Sequence, residues 1–123
     1  MIRETDELQP AFLELIPFHV PHLRFFRRSN AVTRVHGRMM TFGLAGMPDL
    51  YGIFDGGMHL EVELKGAKGR LSPEQIIFQG WCADHRVPYL LLKAKAAETI
   101  QQTAERWCAE VQALATSLGQ MPR

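Results

Sequence analysis

The chain has few cysteines and no long apolar run, and both absences narrow its possible functions. Its 123 residues include two cysteines, Cys82 and Cys108, which form no CxxC pair and lie at no zinc-finger spacing. Two buried free thiols are therefore expected, as is typical of a protein in a reducing cytoplasm. No apolar run approaches the length of a membrane span, and no secretory signal precedes the first predicted helix, so we expect no membrane partner.

Acidic residues are missing from a long stretch between Glu14 and Asp49. The net charge is only +1, so the overall charge does not indicate a nucleic-acid partner. The acid-free stretch, however, collects five arginines, and more basic residues follow the next predicted strands. A basic band beside carboxylates favours a phosphodiester substrate, although scattered arginines on a solvated loop are the alternative. The candidate phosphate contacts are Arg27, Arg28, Arg34, Arg38, Lys68 and Arg70.

What is present is the composition of one globular domain spanning residues 1–123, with 46% hydrophobic and 22% charged residues. The pattern predicts, in order, a helix over 5–16 ended by Pro17 and Pro21, a strand over 22–28, irregular structure over 29–46 with a short helix near 38–42, a hairpin over 50–65, a helix from Pro73 to about His85, a strand over 87–92 and a helix over 100–118. The strand at 87–92 must return parallel to a hairpin strand. We therefore expect an α/β fold, α-β-β-β-α-β-α, with a small mixed sheet flanked by helices.

The hairpin carries the residues of greatest interest. A three-residue loop at Asp55-Gly56-Gly57 places Phe54 opposite Met58, Leu50 opposite Val62, and Asp49 opposite Glu63. Opposed side chains lie about 5 Å apart at Cβ. A two-residue loop would instead put the two carboxylates on opposite faces, but only the three-residue loop gathers the apolar residues on one face.

Asp49 and Glu63 would repel each other at that distance unless a positive charge lies between them. Lys65 shares the face of Glu63 because strand side chains alternate. Two carboxylates and an ammonium group suit a hard divalent cation with a water or phosphate oxygen beside it. The alternative is an ordinary amphipathic hairpin whose polar face is solvated.

Several segments taken together resemble a known family. Gly46-Met-Pro-Asp49-Leu, the hairpin, Glu63-Leu-Lys65-Gly and Gly69-Arg-Leu-Ser-Pro-Glu-Gln75 resemble the VRR-NUC domain, a branch of the PD-(D/E)xK nuclease superfamily. The likeness covers about residues 36 to 92 and implies a restriction-endonuclease-like core. The chain is similar to stand-alone phage and bacterial members, which implies the cytoplasm of a bacterial or phage-infected cell.

The resemblance also implies roles for individual residues. Asp49 and Glu63 would hold Mg²⁺ or Mn²⁺ together with the backbone carbonyl of Leu64, and Lys65 would act on the water or the phosphate. Gln75 matches a glutamine near the active site of the family, but Ser72-x-x-Gln75 is also a capping box, and both interpretations remain open. Relatives often place a glutamate of the first helix near the metal; Glu4, Asp6 and Glu7 compete for this position, and Glu7 is preferred.

The predicted function is metal-dependent hydrolysis of DNA by a structure-selective endonuclease that acts on branched DNA. Its similarity to junction resolvases that pair two sites further implies a homodimer. Two alternatives stay open at this point. One is a module that binds nucleic acid or a protein partner without cleavage. The other is a structural domain in which Asp49, Glu63 and Lys65 form a surface ion-pair ladder.

Overall fold

Four strands of one sheet and three α-helices make up most of the fold in the computed structural model, which describes residues 4–28, 32–35, 38–41 and 45–122, with backbone alone at 4, 5, 32–35 and 38–41. Along the chain the elements are a π-helical turn (Glu4–Leu8), α1 (Gln9–His19), β1 (Leu23–Arg27), β2 (Val32–Val35), β3 (Arg38–Thr41), β4 (Leu50–Phe54), β5 (His59–Lys65), α2 (Pro73–Asp84), β6 (Tyr89–Lys93) and α3 (Ile100–Ser117).

The main sheet has the strand order β1-β4-β5-β6. β1 pairs with β4 and β4 with β5 in antiparallel fashion, whereas β6 is parallel to β5. The parallel pair requires a crossover connection, and α2 provides it. The predicted mixed sheet with helices and the parallel return of the strand near residue 90 are thus confirmed.

The hairpin of β4 and β5 has the predicted register. Leu50 lies opposite Val62, and Gly52 lies opposite Leu60. The amide of Phe54 donates to the carbonyl of Met58 over 2.9 Å, which closes a loop of three residues. The alternation of apolar residues therefore selected the register, because a slip by one residue would have turned every buried side chain outward.

The hydrophobic core lies between one face of this sheet and the helices α1 and α3. Phe12 of α1 meets Trp107 of α3 edge to face, with ring centroids 6.0 Å apart. Leu60 and Val62 of β5 are buried against this layer. α2 covers part of the other face, where the Phe78 ring packs near Tyr89 of β6. Helices therefore lie on both sides of the sheet.

Two of the predicted boundaries were wrong at the first helix. α1 continues through Pro17 to His19, because a proline in the last turn removes only one helical hydrogen bond there. The chain before it, from Glu4 to Leu8, forms a π-helical turn. Pro10 lacks the amide that a regular helix would use at that point, so the preceding turn is widened.

Residues 29–46 also differ from the prediction of irregular structure with a short helix near 38–42. β2 and β3 form a separate antiparallel pair in which Val32 lies opposite Thr41 and Val35 opposite Arg38. Three of the four residues of β2 are β-branched valine or threonine, which favour extended backbone, whereas β3 has only Thr41. Because each strand has only four residues, its sequence pattern was too short to predict a strand.

Both cysteines are free and buried, as predicted. Burial raises the pKa of the Cys108 thiol to about 11, and burial with the charge of Glu61 raises that of Cys82. Neither thiol is therefore suited to nucleophilic chemistry. Within the described ranges, no helix is both long and apolar enough to cross a membrane.

Candidate functional site

β5 presents Glu61, Glu63 and Lys65 on the side of the sheet that faces away from the main core. The two carboxylates are buried, with Glu61 only 3% and Glu63 only 7% exposed. A solvated polar face, the alternative for this hairpin, would leave both exposed. Burying two carboxylates is costly unless each is held by hydrogen bonds or opposite charge, so their partners define the site.

Glu63 is held by a lysine and a glutamine. Its Oε1 lies 3.6 Å from the Nζ of Lys65 and accepts a 3.2 Å hydrogen bond from the Nε2 of Gln75. The predicted neighbours Glu63 and Lys65 are thus together, and Gln75 joins them from α2. For Gln75, the sequence leaves open both a role in the site and a role in the capping box of α2.

Gln75 serves both purposes at once. Its Oε1 accepts from the amide of Ser72 over 2.8 Å, and the Ser72 hydroxyl accepts from the Gln75 amide over 3.2 Å. This reciprocal capping box fixes the first turn of α2. The carbonyl end of the Gln75 side chain therefore caps the helix while the amide end contacts Glu63, and neither role excludes the other.

The segment from Gly46 to Asp49 runs against the same turn of α2. Gly46 has φ +87°, and a Cβ on it would lie 2.2 Å from the carbonyl oxygen of Glu74. Only glycine permits this approach. Pro48 of this segment is buried, and Asp49 lies immediately before β4. The carbonyl of Asp49 accepts a hydrogen bond from the amide of Arg28 over 2.7 Å.

Asp49 is exposed and directly precedes Leu50, which is the first residue of β4 and the residue at which its pairing with β5 begins. Extending the ladder by one residue brings Asp49 level with Glu63. The Leu64 carbonyl belongs to this level too. The Glu61 amide donates to the Pro88 carbonyl, and the Lys65 carbonyl accepts from the Ala94 amide, so both groups point to the β6 side of β5. Backbone groups of successive strand residues point to alternate sides, so the carbonyl of Leu64 points to the β4 side, beyond the first residue of β4.

This oxygen-rich set fits a hard divalent cation in chemical type, with two carboxylates and a main-chain carbonyl at one level of the sheet. It is a small set. Among the described residues, no group of three or more His, Cys, Asp and Glu is arranged to hold a metal. Glu7, half-buried in the π-helical turn, does not join Asp49 and Glu63 in such a group.

Glu61 belongs to a different cluster from Glu63. Arg28 donates to both of its oxygens, over 2.8 and 2.9 Å, and the Nε2 of His59 contacts the second oxygen. Arg28 also donates to the Pro48 carbonyl over 2.7 Å. Burial alone would raise the pKa of Glu61, but the hydrogen bonds and charges of Arg28 and His59 outweigh it, so the pKa lies below its ordinary value.

The predicted phosphate contacts whose side chains the structure describes do not form one band. Arg28 is half-buried in the pair with Glu61, which differs from a residue that projects toward a phosphate. Arg27 is exposed on β1 and, by strand alternation, points to the opposite face of the sheet from Arg28. Lys68 and Arg70 are exposed in the loop that follows β5. The side chains of Arg34 and Arg38 lie outside the described part of the chain.

Tyr89 was missed by the sequence analysis. It lies on β6 opposite Glu61. Its hydroxyl is buried and has no hydrogen-bond partner within the described part of the chain. Burial first, and then the charge of Glu63, raise the pKa of this phenol well above its usual range, so it stays protonated. The alternation of the strand could have placed it on the face of Glu61, but only the parallel register brings it to this position.

Comparison of the chain with protein-family models, with curated proteins and with solved structures found no match. The resemblance to the VRR-NUC domain therefore stays a prediction that rests on the sequence motifs.

Proposed function

We propose that this protein is a metal-dependent phosphodiesterase that acts on DNA, built on a restriction-endonuclease-like core of the VRR-NUC type. One observation carries the proposal: a buried carboxylate, Glu63, is held between Lys65 and Gln75 at the level of Asp49. Branched DNA and a two-fold dimer remain parts of the same proposal.

The chemistry of each residue suggests its role in this proposal. Asp49, Glu63 and the Leu64 carbonyl would hold Mg²⁺ or Mn²⁺, which when bound supplies Lewis acidity and activates water. Lys65 would neutralise charge that develops on the phosphate, since its ammonium lies next to the Glu63 carboxylate. Gln75 orients Glu63 by holding one of its oxygens. Lys68 and Arg70 would contact the DNA backbone without reading its sequence.

A second candidate is a module that binds nucleic acid without cleaving it. It is favoured by the pairing of Glu63 with Lys65 and by the small number of carboxylates in the site. In this alternative Lys65 is the permanent partner of Glu63. Metal binding separates the two candidates, because only the first requires a cation between Asp49 and Glu63.

The test is a calorimetric Mn²⁺ titration combined with a nicking assay on duplex, flap and four-way-junction DNA. We expect Asp49→Asn and Glu63→Gln to abolish both metal binding and cleavage, and we expect Mn²⁺ to raise the melting temperature of the wild-type protein but not of these two variants. Lys65→Ala should keep metal binding and lower turnover about a hundred-fold, since its charge acts on the phosphate.

The matched control is Glu14→Gln, which removes an exposed carboxylate from α1 and should change neither readout. Cleavage and Mn²⁺ binding that both survive in Asp49→Asn would contradict the nuclease assignment. DNA binding without any Mn²⁺ response in the wild-type protein would favour the non-cleaving module.

A further inference from the structure

A cleft of about 530 Å³ lies beside the candidate site, between β5 and α2. Its polar end is formed by Arg28, His59 and Glu61, and its long wall by Ile77 and Trp81 of α2. This volume falls in the range of sites that hold small organic groups. The cleft is separate from the residues proposed to hold a metal, since neither Asp49 nor Glu63 lines it.

The α2 wall of the cleft is apolar and unusually exposed. Ile77 is 72% and Trp81 is 49% exposed, although Phe78 between them is buried. The Trp81 ring is stacked with His85 at 4.3 Å and lies nearly parallel to Phe78 at 6.0 Å. The wall therefore offers flat ring surfaces, which suit a planar occupant better than a branched aliphatic side chain.

On the opposite side, the sheet contributes the His59 ring and the Arg28 guanidinium to the cleft. Tyr51, outside the lining, stacks on His59 with centroids 5.3 Å apart and 11° between the planes, and the guanidinium of Arg28 lies 4.7 Å over the Tyr51 ring. A flat ring thus occurs on each side of the cleft, and polar groups gather at one end. A nucleobase has the same division into apolar faces and a polar edge.

The position of the cleft connects it to the proposed site. Glu61, in the polar end of the cleft, is two residues from Glu63 on the same side of β5, a spacing of roughly 7 Å along the strand. The cleft also carries the guanidinium of Arg28, and Arg24 is exposed four residues earlier on the same side of the sheet. Glu61 offsets the charge of Arg28 inside the cleft, so the exposed Arg24 supplies the positive charge near it, which favours an anionic strand over a neutral or basic peptide.

We propose that this cleft binds an unpaired nucleobase of a DNA strand, stacked against Trp81 with its polar edge toward Arg28 and His59. The inference rests on the proposed function in one respect, which is that the phosphate next to this base would lie at Glu63 and Lys65. It adds a substrate preference: DNA with an unpaired nucleotide next to the point of cleavage should be preferred to perfectly paired duplex.

Trp81 makes the binding directly measurable. The chain has two tryptophans, and Trp107 is 0% exposed, so a base that stacks in the cleft quenches the fluorescence of Trp81 and leaves that of Trp107 unchanged. The titration uses a short oligothymidylate, and the same strand with abasic sugars, in EDTA so that no cleavage occurs. We expect quenching by the intact strand and affinity weaker by about ten-fold or more for the abasic strand.

Variants of Trp81 test whether the oligothymidylate binds in the cleft. Trp81→Ala should lower affinity for the oligothymidylate about ten-fold, measured by anisotropy of a labelled strand, and Trp81→Phe should keep most of it because the ring remains. Binding of fully paired duplex should be equal in all three proteins. The matched control is Phe18→Ala, which removes another exposed aromatic ring, 85% exposed on α1, and should change nothing.

Equal affinity for the intact and abasic strands overturns the inference, and so does an unchanged affinity in Trp81→Ala or an absence of strand binding. Quenching that grows with protein concentration alone would mean that a second copy of the chain occupies the cleft. Because the titration needs neither metal nor cleavage, a protein that never cuts DNA but shows the Trp81 effect would retain the base site and lose only the proposed function.

Discussion

Glu61 and Glu63 show how two carboxylates of one strand acquire different roles from their surroundings. Glu61 is saturated by Arg28 and His59, which keeps it ionised and fixes two strands and a loop. Glu63 has a lysine at 3.6 Å, a longer and more easily exchanged contact, and a neutral glutamine. The first carboxylate is therefore structural, and the second is the one that we propose to bind a cation.

Gly46 is the residue whose replacement most directly tests the architecture around the site. In Gly46→Ala the new methyl group would overlap the Glu74 carbonyl at 2.2 Å, and the positive φ adds strain. We expect a loss of stability of at least about 2 kcal/mol, measured by urea unfolding. The Asp49 segment should shift away from α2, so Mn²⁺ affinity should fall as well.

Gly57→Ala is the matched control for this prediction. Gly57 has φ +97°, but among the described residues a Cβ on it meets no atom within 4 Å. The two variants share the conformational strain and differ in the close approach to α2. Equal losses of stability in both would show that the contact with Glu74 does not constrain the segment.

At the scale of elements, two helices begin with the same capping box, and only one reaches the site. Ser72 and Gln75 cap α2, and Thr99 and Gln102 cap α3, each with both reciprocal hydrogen bonds. The α2 glutamine also donates to Glu63. The pair of helices thus separates the capping role of a glutamine from its contact with a carboxylate.

We expect Gln102→Ala to cost about 1 kcal/mol of stability because it removes one capping interaction, and Gln75→Ala to cost more because it also removes a hydrogen bond to the buried Glu63. Only Gln75→Ala should weaken Mn²⁺ binding and cleavage, since only this variant releases Glu63. Urea unfolding and calorimetric Mn²⁺ titration of both variants provide the comparison. A Gln102→Ala protein with the same functional loss would mean that the effect of Gln75 is only on stability.

The hairpin, α2, β6 and α3 could be predicted from the sequence because their signals are local. The alternation around Asp55-Gly56-Gly57 fixes a register, and Ser72 with Pro73 fixes a helix start. The burial of Glu61 and Glu63 could not be predicted in this way. It depends on α2 packing over the face that alternation alone assigns to solvent, which is a contact between distant parts of the chain.

Arg28 illustrates the same difficulty for charge. In the sequence it is one of several arginines in an acid-free stretch, so a phosphate is the simplest partner to expect. Its actual partner, Glu61, is 33 residues away and becomes its neighbour only through the order β1-β4-β5. β2 and β3 were missed for another reason, because strands of four residues give too short a pattern to distinguish from a loop.

At the scale of the whole molecule, two ion-pair clusters join parts that are distant in the chain. Arg28 and Glu61 connect β1, β5 and the Pro48 loop. Arg106 of α3 binds Glu98 over 2.6 Å and the Lys93 carbonyl at the end of β6 over 2.6 Å. The hydrogen bonds of Arg106 hold the pKa of Glu98 at about 2. Both clusters thus lower the pKa of their carboxylate and favour its ionised form in the folded protein.

This arrangement predicts how stability depends on pH. The pKa of Glu61 is lower in the folded protein than the ordinary value of about 4.3, so its contribution is complete above that value and is lost as the pH falls through the folded pKa. Glu61→Gln should therefore be less stable than the wild-type protein by about 2 kcal/mol at neutral pH, because Arg28 loses its charged partner. The difference should shrink as the pH falls through the folded pKa of Glu61, because Glu61 of the wild-type protein is then protonated too. Urea unfolding of both proteins from neutral pH into acid measures it.

Glu98→Gln is the matched control. The pKa of Glu98 in the folded protein is about 2, and its partner Arg106 is more exposed than Arg28, so its difference should be smaller at neutral pH and should be lost only as the pH falls toward 2. A Glu61→Gln difference that stays constant as the pH falls from neutral into acid would mean that the charge of Glu61 does not hold these strands together.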